Sequence, residues 1–447
     1  MTGGWLFDRM AQTPDATALA GPDGATSYRT LLDRVACWDT YLADHDLRGC
    51  VLSIEGDYSV ESIALFLAAM RNRNIIIPVC SATRAHLQEF LEIGEVERRI
   101  VLTGATPDII RTGRAAGHAH YRRLRDAGAA GLVLFSSGST GAHKAAVHDL
   151  RPLLEKFALP KRCFRTLVFL QLDHIGGINT LFYTLANAGT VVVSSGRMPR
   201  TVCEAIAQHR VELLPTSPTF LNLLLLSEEW QRHDLSSLQV ITYGTEPMPA
   251  STLQRVHAAF PNVRLQQTYG LSELGILRSQ SRSSDSLWVR VGGEGYETKV
   301  ITDRLWIRAT SAMLGYLNAP SPFDADGFFD TGDLVEVDGE WLRIRGRQSE
   351  LINVGGSKVF PMEVENVLLE MENVEDVSAR GEPSALTGQA VVVSVRLAHH
   401  EDPVAFKIRM RVFCRDRLEP YKIPVKVEFN GPVISERFKK MRQQAAS

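Results

Sequence analysis

The sequence predicts an α/β protein. A large N-terminal domain of layered α/β subdomains contains a small β-rich part and is followed by a small α+β lid domain. Three observations predict it. Helical and strand-like segments alternate between residues 28 and 244, short strands crowd together after about residue 285, and alternation resumes from about residue 350. Helix–strand alternation builds largely parallel sheets, because each helix carries the chain back across the sheet face.

The elements follow in order. In "YRTLLDRVACWDTYLADHDL" (28–47) apolar residues recur at helical spacing, and "GCVLSIEG" then looks like a buried strand. "SVESIALFLAAMRNRN" and "IIIPVC" repeat that pair. "RTLVFLQL", "TLFYTLANAG", "TVVVSS", "VCEAIAQHR", "VELLPTS", "PTFLNLLLL" and "LQVITYG" continue it. "SLWVRVG", "YETKVIT", "RLWIRAT", "LVEVDG" and "EWLRIRG" are short strands, giving a β-rich subdomain over about 285–348. From "ELINVGGSKVFPMEVENVLLE" onward helices and strands alternate again over enough chain for a separate lid. The expected domains are 1–348 and 349–447.

The 447 residues are 45% hydrophobic and 22% charged with net charge −2. That balance gives no global attraction to nucleic acid or anionic membrane. Function is therefore sought in a site. Six cysteines (Cys37, Cys50, Cys80, Cys163, Cys203, Cys414) form no C-x-x-C pair and read as buried small hydrophobes in a reducing compartment. No run of 18 apolar residues and no N-terminal apolar stretch occurs, so no membrane span and a cytoplasmic location are expected. Between Lys407 and Arg442 eleven Lys and Arg face Asp416, Glu419, Glu428 and Glu436, a local charge of +7. This is either a solvated basic face or a surface that meets a phosphorylated partner.

One loop is chemically distinctive. "LVLFSSGSTGAHKAAVH" (132–148) runs from a strand into Ser136, Ser137, Gly138, Ser139, Thr140 and Gly141, with Lys144 three residues later. Small residues let backbone N–H groups and hydroxyls close around an anion such as phosphate. The spacing is not that of G-x-x-x-x-G-K-[ST]. Alone, it reads equally as a solvated turn.

Four further segments stand in order: "YGTEPMP" (243–249), "QTYGLSELG" (267–275), "GFFDTGDL" (327–334) and "IRGRQSELINVGGSKVFPMEVE" (344–365). Together with the loop they resemble the adenylate-forming superfamily of acyl-CoA synthetases, firefly-type luciferases and peptide-synthetase adenylation domains. The resemblance covers nearly the whole chain and is closest in character to a stand-alone acyl- or aryl-CoA synthetase.

The resemblance implies ATP-dependent activation of a carboxylic acid as its acyl-adenylate, with pyrophosphate released, then transfer to the thiol of coenzyme A. The implied cofactors are ATP, Mg2+ and coenzyme A or phosphopantetheine. Such a site must hold a triphosphate, neutralise its developing charge and align a carboxylate with the α-phosphorus. By resemblance, Ser136 to Gly141 wrap the β- and γ-phosphates and Lys144 adds charge, although this chain has His143-Lys144-Ala145 where Pro-Lys-Gly is usual. Glu273 would hold the metal, and Ser272 supplies a hydroxyl for the α-phosphate. Tyr269 gives adenine a flat face, and Thr245, Glu246 and Pro247 line its other side. Asp333 would grip the ribose hydroxyls, assisted by Arg347. Ser349 falls at the hinge about which the small domain rotates, making it a mobile lid. Gly355 and Gly356 stand where pantetheine passes. The adenylation lysine falls in "PVISERFKKMR": aligning Ser435 and Arg442 makes it Lys439, with Lys440 the runner-up and Phe438 in place of a glycine.

The acyl pocket falls partly on "LQLDHIGGINTLF" (170–182). His174 takes the gating position. Ile175 replaces the aspartate that amino-acid-activating members set against the α-ammonium, and an unpaired buried ammonium is costly. A fatty, aryl or polyketide-like acid is therefore expected rather than an α-amino acid, with Gly176, Gly177, Gly270 and Gly275 leaving room for it. The acceptor remains open among coenzyme A, an acyl carrier protein and an amine.

Overall fold

The computed structural model describes residues 3–102, 107–137, 143–435 and 437–441. Two seven-stranded sheets form most of the large domain. The first runs in the order Arg264–Gln267, Val240–Tyr243, Leu213–Thr216, Arg165–Leu167, Thr190–Val192, Thr17–Gly21, Gly24–Ser27. It is parallel except for the final hairpin. The second runs Gly315–Tyr316, His143–Asp149, Gly131–Ser137, Ile75–Val79, Val51–Glu55, Arg98–Val101, Asp108–Arg111, with a parallel centre and antiparallel flanks.

Apolar helices sit between the sheets. In Val60–Arg71 every residue from Ser62 to Met70 is buried, and Ile175–Ala186 is nearly as enclosed. A helix that is apolar all round belongs in an interior. Phe66 and Phe182 meet edge to face at 5.9 Å, joining one sheet's helix to the other's. Each such fully buried side chain contributes about 1.5–3 kcal/mol. The starts are cued locally: Ser27, Ser59 and Ser217 each accept a backbone N–H from the first turn of the helix they precede.

The β-rich part is a six-stranded antiparallel sheet from Ser279–Ser281 to Trp341–Arg347. Beyond the turn Gln348–Glu350 the chain enters a separate five-stranded sheet covered by the helices Pro361–Leu369 and Pro403–Arg415, with its own core around Val393, Phe406 and Met410. The small domain rests on the large one: Ala250 N–H donates to Asn366, and Asn222 Nδ2 to the Glu375 carbonyl.

Two expectations are revised. Cys80, Cys203 and Cys414 are buried, but Cys37 and Cys163 are exposed and Cys50 is intermediate; all six are free thiols. The basic C-terminal stretch is partly neutralised, since Lys422 pairs with Glu363 and Glu419, Lys426 with Glu382 and Glu428, and Arg409 with Glu401. Among the described residues, no helix is long and apolar enough to cross a membrane.

Candidate active site

A cavity of about 590 Å³ lies along one face of the first sheet, under the helix Ile175–Ala186. Leu213, Pro215, Val240, Thr242, Arg264 and Gln266 line it, two residues apart on each strand as the pleat requires. At the carboxyl ends of these strands it is closed by Gly244, Thr245, Thr268 and Gly270 to Glu273. Ligands of open α/β sheets bind at that strand end. Arg347 enters from the β-rich sheet, while Arg437 and Lys439 enter from the small domain.

Lys439 is delivered by a short hairpin. Ile434 bridges to Lys440, Ser435 N–H donates to the Lys439 carbonyl, and Phe438 N–H to the Ser435 carbonyl. The turn requires a left-handed backbone at Phe438, φ 54°, where the resembled family has glycine. Aromatic packing holds it there: the ring lies 5.3 Å from Phe169 and 5.8 Å from Phe220, and the Phe438 carbonyl accepts from Ser217 Oγ at 2.7 Å. Burial pushes the Lys439 ammonium down to about 8, and the cations of Arg347 and Arg437 push the same way against Glu246 and Glu350.

Lys440 points elsewhere. Its ammonium is buried on Asp376 at 2.6 Å and on the Val377 carbonyl, inside the small domain. Its backbone N–H donates to Glu246, whose other oxygen accepts from Thr219 N–H. Glu246 thus clamps the two domains and is not part of the cavity lining; nor is Pro247.

Ser272 and Glu273 sit on the turn between two short strands. Buried His148 fixes it: its Nε2–H donates to the Ser272 carbonyl at 2.6 Å, and burial pushes the imidazole down to about 4. One Glu273 oxygen accepts from Tyr316 OH at 2.6 Å, and Lys144 Nζ lies 5.4 Å from the centre of the Tyr316 ring. The second Glu273 oxygen has no hydrogen-bond partner among the described residues, so a carboxylate faces the cavity with ligand capacity to spare. The cavity also contains Ser136, whose strand pairs with Lys144. Ser137 pairs with His143, whose imidazole and N–H both engage Glu89 and anchor the strand leaving the loop. Gly138, Ser139, Thr140 and Gly141 lie outside the described residues.

Tyr269 and Asp333 are brought together behind this wall. Tyr269 OH donates to Asp333 Oδ2 at 2.5 Å, and Arg347 Nε donates to Oδ1 at 3.2 Å. Burial pushes the Asp333 carboxyl up, against the lowering effect of Arg347 and Tyr269. Tyr269 is 6% exposed and packed in the core of the β-rich part with Leu271 and Val289; neither Tyr269 nor Asp333 is part of the lining. Thr245 does line the cavity, in a left-handed conformation (φ 72°) with a buried Oγ1 that has no partner among the described residues.

At the other side His174 and Ile175 begin the covering helix. His174 Nδ1 accepts from Gly176 N–H at 2.9 Å, which puts the ring proton on Nε2. Burial, with Lys439 and Arg437 nearby, holds this imidazole well below the usual histidine range. The glycines serve close packing more than substrate room. A Cβ on Gly177 would meet the Gln171 carbonyl oxygen at 1.8 Å, one on Gly270 would meet Gly275 O at 2.7 Å, and Gly275 has φ 82°. Gly355 and Gly356 form the tight turn of an exposed hairpin away from the cavity, at φ 58° and 87°. Ser349 is exposed in the turn between the last strand of the β-rich sheet and the small domain.

Sequence reasoning missed Lys156, Arg278, Arg437, Tyr316 and His148. Only His148 carried a signal, as a polar residue at an inward position of the apolar strand His143–Asp149.

Comparisons with known proteins accord with this geometry. Residues 6–317 match the model described as AMP-binding enzyme, and residues 363–433 match the AMP-binding enzyme C-terminal domain. An indoleacetate–CoA ligase of Aromatoleum aromaticum is 30% identical over 67% of this chain and 63% of its own length. A long-chain-fatty-acid–CoA ligase of Salmonella typhimurium is 28% identical over 67% of this chain and 58% of its own. The matched stretch is thus less than two thirds of either relative. The solved anthranilate CoA ligase AuaEII, in complex with anthranoyl-AMP, superposes with a TM-score of 0.80 over 98% of this chain and 95% of its own, at 20% identity. With its two domain models matched in order and one cavity shared between the domains, the chain belongs to the AMP-binding enzyme family.

Proposed function

We propose that this protein activates a carboxylic acid with ATP as its acyl-adenylate, releases pyrophosphate, and then transfers the acyl group to the thiol of coenzyme A. The observation that carries the reading is the meeting of Lys439 from the small domain with Glu273, Ser272 and Arg347 in one enclosure. In the first step a carboxylate oxygen attacks the α-phosphorus and the bond to pyrophosphate breaks. Lys439 and Arg347 stand to balance the charge that develops, and Ser136 with the following loop is the proposed phosphate cradle. Glu273 would hold Mg2+, which when bound neutralises triphosphate charge. Tyr316 orients that carboxylate, and His148 fixes the turn that bears it.

An α-amino acid is a poor fit. Ile175 lines the cavity at 4% exposure, and among the described residues Glu273 is the sole acid of the lining, committed in this reading to the metal end. An α-ammonium would have no counter-charge. The free cysteines suit a reducing cytoplasm.

A second acceptor has its own support. On the helix Pro403–Arg415, Val404, Ile408 and Val412 are 64%, 61% and 57% exposed, beside exposed Lys407, Arg411 and Arg415. An apolar stripe edged with cations suits an acidic carrier protein. ATP-dependent pyrophosphate release with a panel of acids, run without acceptor, with coenzyme A and with a phosphopantetheinylated carrier protein, tests both. Acid-dependent release with a coenzyme A thioester as product is expected. Absence of acid-dependent release with every acid overturns the reading.

A further inference from the structure

The part of the cavity around Lys156 carries more positive charge than an apolar acyl chain would need. Partly buried Lys156 and Arg278 and exposed Lys161 and Arg264 line it, with no Asp or Glu among them. Lys156 follows the helix Leu150–Glu155, and its ammonium is held by Asn179 Oδ1 at 2.5 Å and the Ile276 carbonyl at 2.6 Å. An ammonium has three donors, so one remains for the cavity. Burial pushes Lys156 down to about 7, with Lys161 and Arg278 adding repulsion and no acid opposing them. Among the described residues Arg278 Nε is buried without a partner, and the guanidinium pairs with exposed Glu294 at 3.8 Å. Among the described residues, no carboxylate lies within ion-pair distance of Lys156, Lys161 or Arg264. At Lys156 an enclosed ammonium without a counter-charge is unfavourable, and a bound anion is what relieves it.

Building on the proposed acid activation, we infer that the acid carries a second anionic group, a carboxylate, which pairs with Lys156 and is supported by Lys161 and Arg278. The covering helix sets the distance. His174, beside Lys439, precedes Asn179 by five residues, or about 7.5 Å at 1.5 Å per residue. Phe157, Phe164 and Tyr183 wall the same region, so a planar or extended spacer of that length is accommodated. The carboxylate near Lys439 is adenylated; the distal one only binds and is chemically unchanged.

The test uses matched pairs: cinnamate against 4-carboxycinnamate, and octanoate against octanedioate. In the wild type the diacid should exceed its monoacid in kcat/KM for pyrophosphate release by about 10- to 100-fold, the scale of one charge-assisted hydrogen bond. Lys156→Met should collapse that ratio to about one or below, and Lys161→Met and Arg278→Met, at less enclosed positions, should each reduce it. Calorimetric titration with 4-carboxycinnamate reads the same subsite without turnover and should show binding weakened in Lys156→Met. Diacid binding lost in Lys156→Met but without turnover of any acid would sustain the subsite and overturn the activity. Turnover with equal ratios in wild type and all three variants would sustain the activity and overturn the subsite.

Discussion

Lys439 supplies a prediction in which the structure fixes both the direction and the size. Enclosed beside Arg347 and Arg437, its ammonium is pushed down to about 8, so it passes from about nine-tenths charged at pH 7 to about one-tenth at pH 9. If the charged form serves adenylation, kcat/KM for pyrophosphate release should fall about tenfold over that interval. The free enzyme's ionisation is what this parameter reports. Lys156 titrates in the same cavity near pH 7, so the profile is run in parallel in Lys156→Met with an acid lacking a distal charge. Lys439→Ala should lower the rate about 10²- to 10³-fold and remove the alkaline limb. The same variant, given a synthetic acyl-adenylate and coenzyme A, should form thioester at near the wild-type rate. Equal loss of both half-reactions, or an alkaline limb that survives in Lys439→Ala, would refute the reasoning.

Lys440→Met should act on stability instead: it leaves Asp376, 1% exposed, without its counter-charge, and denaturant unfolding of the small domain should lose about 3–5 kcal/mol. Removing Asp376 as well should restore part of the loss. His148 is kept neutral by burial, with its folded pKa near 4 below the unfolded 6.5. Its stabilising contribution is therefore complete above pH 6.5 and is lost as pH falls toward 4. Unfolding at pH 5 rather than pH 7 should show about 2 kcal/mol of that loss, absent in His148→Gln. Tyr316→Phe removes the donor that orients Glu273, and a Mg2+ titration of pyrophosphate release should shift upward about fivefold, the scale of one hydrogen bond. At Phe438, the Ala variant keeps the left-handed penalty of about 1–2 kcal/mol while the Gly variant sheds it, and both lose the aromatic contacts. Pyrophosphate release should therefore fall below wild type in both, further in Phe438→Ala.

The fold was legible because its signals are local and repeated. Continuous apolar runs such as 62–70 have nowhere to go but between sheets, and Ser59 marks the start of that helix by capping it. The residues proposed for the nucleotide end are singled out for a different reason. The composition of the Ser136 loop suggests anion chemistry, Ser272, Glu273 and Lys439 are picked out by the family resemblance, and the fold brings all four to one cavity. Glu246, Gly355 and Gly356 sat in equally suggestive segments but not on that cavity, because a turn's composition does not reveal which way its side chains point.

The part of the cavity around Lys156 was illegible on physical grounds. In the sequence Lys156 closes an amphipathic helix end, where lysine usually extends into solvent; its meaning arises only when Asn179 and the Ile276 carbonyl, 23 and 120 residues away, take two of its donors. Phe438 shows the same non-locality in the opposite sense. Read alone, a phenylalanine where glycine is usual casts doubt on the hairpin. In three dimensions Phe169, Phe220 and Ser217 of the large domain hold that residue, so the strained turn is supported by contacts between the domains. Rotation of the small domain would release the left-handed residue and withdraw Lys439 together. Docking therefore couples delivery of the proposed adenylation cation to a contact made by its immediate neighbour in sequence.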